Sequence, residues 1–104
     1  MDQEYKNKAM KEMGVDEVIY NDLLECFLTE AREEVDQLDT AIKIDSFLEI
    51  TRIGHGLKGM AGNLHITHIQ EMAKALEVLA AQGKDKQALI QKAVALKQAL
   101  EELK

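Results

Sequence analysis

Phe47-Leu48-Glu49-Ile50-Thr51-Arg52-Ile53-Gly54-His55-Gly56-Leu57-Lys58-Gly59-Met60-Ala61-Gly62-Asn63-Leu64 holds four of the chain's six glycines, yet its apolar residues keep helical spacing. Phe47, Ile50, Gly54, Leu57, Ala61 and Leu64 recur at steps of three and four, the mark of an amphipathic helix with one buried stripe. Glycine inside a helix is less stable than alanine by roughly 1 kcal/mol, so four of them forgo on the order of 4 kcal/mol. That is a large share of a small domain's margin. The cluster surrounds one histidine, His55, whose use requires the bareness.

The same period runs through the rest of the chain. Residues from about Glu4 to Met13 predict a short first helix closed by Gly14, and Asp16 predicts the cap of the next. Tyr20, Leu24, Phe27, Ala31, Val35, Leu38 and Ile42 then mark the longest element, about 25 residues and nearly 40 Å at ~1.5 Å per residue. Asp45 is the expected cap of the glycine-rich helix. Thr67 is the expected cap of a fourth helix, carrying Ile69, Met72, Ala73, Leu76, Leu79 and Ala80 and closed by Gly83. Asp85 is the expected cap of a fifth, carrying Leu89, Ala93, Leu96 and Leu100. Short joints between long amphipathic helices predict an all-α fold, an antiparallel up-down four-helix bundle with the short N-terminal helix across one end. Residues 1–104 read as a single domain, with no internal repeat or linker.

Composition agrees and removes whole classes of function. Proline is absent, four residues are aromatic, and 46% of the chain is apolar, which favours packed helices over strands or disorder. The formal net charge of -6 repels nucleic-acid phosphates and anionic lipid, so neither nucleic acid nor membrane is an expected partner. No apolar run approaches the ~20 residues that span a bilayer, and the polar start Met1-Asp2-Gln3-Glu4 does not resemble a signal peptide. A cytoplasmic protein, or a domain excised from one, is expected. Cys26, the lone cysteine, sits beside Leu24 and Phe27 and reads as a buried structural residue rather than a reactive thiol.

At about 100° per residue, His55 lies roughly 130° from the centre of its helix's apolar stripe and projects to solvent. Gly59 and Gly62 stand one and two turns along beside it, Thr51 one turn back and Leu48 about two turns back, so the surface there is nearly flat. Lys58 leans over the same patch from the edge of the stripe. Gly54 is on the stripe itself, which predicts a close helix contact; Gly56 has no assigned role. Leu48 reads either as a docking contact or as an ordinary exposed leucine. The chain has 19 acidic residues, and an even spread would put about four in any window of 21, yet Ile50 to Gln70 holds none, while it contains all three histidines, Arg52 and Lys58. Such a clearing suits a bound anion or an acidic partner pocket.

The chemistry open to an exposed imidazole beside a lysine is narrow. No serine or cysteine nucleophile is near it in sequence, and no phosphate-binding loop of P-loop spacing occurs. Neutral imidazole is itself a nucleophile and can accept a phosphoryl group, to whose oxygens Lys58 can donate charge-assisted hydrogen bonds. Two other readings compete. His65 and His68, three residues apart, form a metal site with His55 as one alternative, against which no carboxylate is near them in sequence. The other is a non-enzymatic helical interaction module that binds a partner through the Leu48 face.

His55-Gly56-Leu57-Lys58-Gly59, followed by Ala61, Asn63 and Leu64, resembles the histidine-x-leucine-lysine-glycine signature of histidine phosphotransfer domains of bacterial two-component phosphorelays. The order of short helix, long helix, histidine helix and two closing helices resembles that family over essentially the whole chain. The resemblance implies that His55 is phosphorylated, that Lys58 contacts the phosphate, and that Gly59 is the opening that admits a partner. Leu48, Thr51, Arg52 and Gly62 are the expected binding surface around them. It implies a monomeric phosphoryl carrier rather than an enzyme. The partners would be a response-regulator receiver domain, a sensor histidine kinase, or both, with magnesium on the receiver and no cofactor or metal of the chain's own. Where the family usually has glycine after the Asn-Leu pair, this chain has His65; if positive φ is required there, histidine tolerates it better than most residues, at about 1 kcal/mol.

Overall fold

The computed structural model describes residues 1–103, and among them five helices are joined by short turns. They are α1 (Gln3–Met13), α2 (Glu17–Lys43), α3 (Phe47–Asn63), α4 (Thr67–Ala81) and α5 (Lys86–Glu101). α2 packs on α3, α3 on α4, α4 on α5, and α5 closes back on α2, so four helices form a ring whose short joints make neighbours antiparallel. The expected up-down bundle is what forms. Its long axis, 42 Å, matches the 27-residue α2 at ~1.5 Å per residue. α1 lies over one end, its Tyr5 and Glu12 on the α3–α4 turn and its Lys6 on Glu17 of α2.

Each apolar stripe enters one core, in which Tyr20, Leu38, Ile50, Ile53, Leu57, Ile66, Ile69, Leu76, Leu89 and Leu96 are fully buried. α3 and α4 are the most closely packed pair, and glycine lets them approach, with Gly54 against the backbone of Ala73 and Glu77. A Cβ on Gly54 would sit 3.0 Å from the backbone nitrogen of Glu77 and 3.1 Å from the carbonyl oxygen of Ala73, so the expected close contact is real. It fixes how α4 sits beside α3.

The helix ends agree with the sequence at some joints and correct it at others. Gly14 adopts left-handed backbone at φ 71°, Gly83 does so at φ 65°, and Asp16 and Asp85 cap α2 and α5 through bonds from Ile19 and Ala88 amides. Asp45, by contrast, does not cap α3. It is itself left-handed at φ 56° and ends α2, where the Ser46 amide donates back to the Ala41 carbonyl over 2.9 Å, the closing bond of a Schellman turn. Nor does Thr67 cap α4; it is the first helical residue, and its amide donates instead to the Tyr5 hydroxyl of α1, 2.5 Å away. His65 closes α3 by the same turn at φ 56°, with the Ile66 amide donating to Ala61 over 2.9 Å, so the backbone does demand the left-handed region there.

Cys26 is also corrected. It is exposed on the flank of α2, over a groove shared with Leu23, Phe27 and Met60, because Phe27 and Leu28 take the core-facing positions of that turn.

Tyr20 ties the start of α2 to the end of α3. Its buried hydroxyl donates to the Leu64 carbonyl over 3.0 Å, and burial, with a smaller push from Tyr5, holds its phenol above the ordinary tyrosine range. Tyr20→Phe leaves that carbonyl unpaired and is expected to lower stability by about 1–2 kcal/mol, a fall of several degrees in a melt followed by circular dichroism. A raised folded pKa means the wild-type contribution is whole below about pH 10 and is lost as pH rises through the folded value, so the gap between the two proteins narrows only in strong alkali.

Candidate functional site

His55 stands on the outward face of α3, with 70% of its side chain exposed. The face around it is uneven in a useful way. A Cβ added at Gly56 or Gly59 would meet nothing within 4 Å, so both glycines leave open surface beside the ring. Gly62 does not. A Cβ there would fall 2.9 Å from the Gln70 amide nitrogen, so its bareness makes room for a side chain of α4 rather than clearing a landing surface. Leu48 is 85% exposed two turns back, and the half-buried Thr51 turns its hydroxyl onto the Phe47 carbonyl, 2.8 Å away. Arg52 points toward α2, where its guanidinium meets Glu34 at 3.4 Å and Gln37 at 3.2 Å after binding Glu49 on its own helix.

The decisive neighbour comes from α4. Glu77 Oε2 lies 2.9 Å from His55 Nδ1, and Glu77 Oε1 accepts a hydrogen bond from Lys58 Nζ over 2.8 Å. One carboxylate therefore holds both polar side chains of the α3 face. The Lys58 hydrogen bond, and after it that from His55, hold Glu77 below the usual carboxylate range, so it is ionised at neutral pH. An ionised carboxylate only accepts, which makes Nδ1 the donor and, in the neutral ring, leaves the lone pair on Nε2. This arrangement presents a nucleophilic nitrogen at an open surface, with an ammonium within reach of anything bonded to it.

Sequence reasoning missed Glu77, which is 22 residues from His55. Its signal was present all the same. A helical hairpin folded about His65 sets residues about ten beyond the joint opposite those about ten before it, and Gly54 on the stripe demanded close approach there. The acid-free stretch is accordingly not acid-free in space. Glu77 enters beside His55, Glu49 and Glu34 surround Arg52, and Glu12 lies 2.9 Å from His65 Nδ1. The three histidines have separate partners, since His68 stands edge-on to the Tyr5 ring at 6.0 Å, and among the described residues no three metal-ligating side chains gather.

Among the described residues no helix is long and apolar enough to cross a membrane. No curated protein and no solved structure matches this chain. A family model does: the Hpt domain model matches residues 22–104, from the first turns of α2 through α5, and spans His55, Lys58, Gly59 and Glu77. On that match, over most of its length, the chain belongs to the Hpt family of histidine phosphotransfer domains, which carry phosphoryl groups in phosphorelays.

Proposed function

We propose that the chain is a phosphoryl carrier in a His-Asp phosphorelay, accepting a phosphoryl group on Nε2 of His55 from a receiver-domain aspartate or a kinase and passing it to another receiver. The observation that carries the reading is the bond from His55 Nδ1 to Glu77, which turns the free lone pair outward on an exposed ring. A mere interaction surface has no need of a carboxylate shared between a histidine and a lysine.

In acceptance, the Nε2 lone pair attacks phosphorus and forms the P–N bond while the P–O bond to the donor aspartate breaks, its electron pair leaving as carboxylate. The Nδ1 proton stays in its bond to Glu77. Lys58 then turns from Glu77 to the phosphoryl oxygens, which carry more charge. Gly59, with Gly56 beside it, lets the partner's active site close over the ring, and Leu48 lies within the partner's footprint. Thr51 and Arg52 belong to its rim, with Arg52 held by α2. Magnesium and most of the catalysis belong to the receiver, the chain needs no cofactor or metal, and it works as a cytoplasmic monomer. Gly62 is left out of the binding surface because Gln70 covers it.

The test separates access from chemistry. Gly59→Gln places a side chain where nothing now stands within 4 Å, so it should gain about 0.5–1 kcal/mol of helix stability. Phosphorylation by a small donor, phosphoramidate, is expected to proceed at the wild-type rate, whereas transfer from a phosphorylated receiver domain is expected to fall at least about tenfold, roughly 1.4 kcal/mol of lost docking. Unimpaired receiver transfer would remove Gly59 from the interface.

A further inference from the structure

The transfer reaction places a demand on a proton that sits at Nδ1. That nitrogen is 2.9 Å from Glu77 Oε2, and α4 holds the carboxylate there through the contact of Gly54 with the Glu77 backbone. We propose that Glu77 keeps this proton on the ring after phosphorylation, so that His55 carries its phosphoryl group as an N-phosphoimidazolium at pH values where a phosphohistidine without such a partner has lost it. The inference rests on His55 as the acceptor and adds what the carboxylate does once the group is loaded.

The consequence lies in the leaving group. On transfer to a receiver, the aspartate oxygen forms a P–O bond, the P–N bond breaks, and its electron pair returns to Nε2. With Nδ1 protonated the departing ring is neutral imidazole; without that proton it would be an imidazolide anion, a far poorer leaving group. No proton is gained or lost in either direction. Glu77 touches neither phosphorus nor the receiver, so it is a positioning residue that keeps the loaded ring discharge-ready.

α3 packs on α2 and α4, and the charged groups near this face of α3, apart from Glu77, are held by other partners or stand in solvent. From α3, Lys58 opposes the imidazolium but is bonded to Glu77 Oε1 and sustains that carboxylate's charge. Arg52, also on α3, is bound to Glu49 and to Glu34 of α2. From α4, Lys74 is exposed one turn before Glu77. The cations act through solvent, while Glu77 acts through a direct charge-assisted hydrogen bond, and the direct contact dominates.

The full chain, labelled with 15N-histidine and loaded with phosphoramidate, allows the proton to be watched directly by the 15N shift of Nδ1 and the 31P shift across pH. The expected midpoint for the loaded ring is at least about one pH unit higher in the wild type than in Glu77→Gln, a tenfold difference in proton affinity. At pH 8.5 the wild type should discharge to a receiver domain at least about tenfold faster. The wild-type chain unfolded in urea serves as a reference without mutation, and its midpoint is expected to fall with that of Glu77→Gln. Midpoints agreeing within about 0.3 unit among the three would overturn the role of Glu77 while leaving His55 as acceptor. Phosphate found on His65 or His68 instead, and persisting in His55→Gln, would overturn the acceptor and this proposal with it.

Discussion

Changing His55 to glutamine is expected to abolish phosphoryl acceptance while leaving the bundle intact. The ring is mostly in solvent and contributes only its bond to Glu77, so the variant should melt within about 0.5 kcal/mol of the wild type, as exposed substitutions generally do. Glutamine still offers Glu77 a donor through its amide but has no basic lone pair with which to attack phosphorus. Loss of a nucleophile that no neighbour replaces commonly lowers a rate by at least about a thousandfold. His65 is engaged by Glu12, and His68 lies against Tyr5, so neither stands beside the open glycine surface. Transfer of labelled phosphate from a receiver domain, read on a gel beside a thermal melt, checks both halves of the expectation. Label of undiminished amount on the variant would sink the assignment.

Gly54→Val is expected to destabilise the bundle strongly, because the space the new side chain needs is already filled by α4 backbone. The added Cβ would meet Glu77 nitrogen at 3.0 Å, Ala73 oxygen at 3.1 Å and Glu77 Cα at 3.2 Å. All three are backbone atoms and cannot swing aside, and the valine methyls go further into the same space. Overpacking of this kind costs about 3 kcal/mol, against a few tenths recovered in helix propensity. For a chain of this size that is a fall in Tm of about 15 °C. Because two of the three displaced atoms belong to Glu77, the carboxylate should move from His55 as well, and receiver discharge should weaken even well below the melting point. Gly56→Ala is the control: its Cβ meets nothing within 4 Å, so a gain of about 1 kcal/mol is expected from helix propensity alone. A Gly54→Val protein that melts within 2 °C of wild type would mean that α3 and α4 do not depend on this approach.

Period within a helix made much of the molecule legible. The stripe on α3 separated Gly54, which packs, from His55, which does not, and the stripes on the other helices placed most of the core while missing Ala9, Leu28 and Ala41. Wrong expectations arose where a second element decides the outcome. Asp45 and Thr67 are good capping residues by type, yet the Schellman turn ending α2 claims Asp45, and the α1 hydroxyl of Tyr5 takes over the amide at the start of α4. Cys26 neighbours apolar residues in sequence, but adjacent helical positions differ by about 100°, and Phe27 points inward in its place. Gly62 looked like open surface from α3 alone and is covered by Gln70 of α4.

From the sequence alone came the bundle, the outward histidine, the lysine beside it and the bare Gly59, because helical spacing carries the direction of each side chain relative to its own axis. Only the tertiary structure decided which nitrogen of His55 is free, since the group that fixes the tautomer is Glu77 on another helix. Charge in a window of sequence says little about charge around a point in space. The register between α3 and α4 brings the carboxylate in, and that register depends on a backbone approach at Gly54 that no single helix can encode.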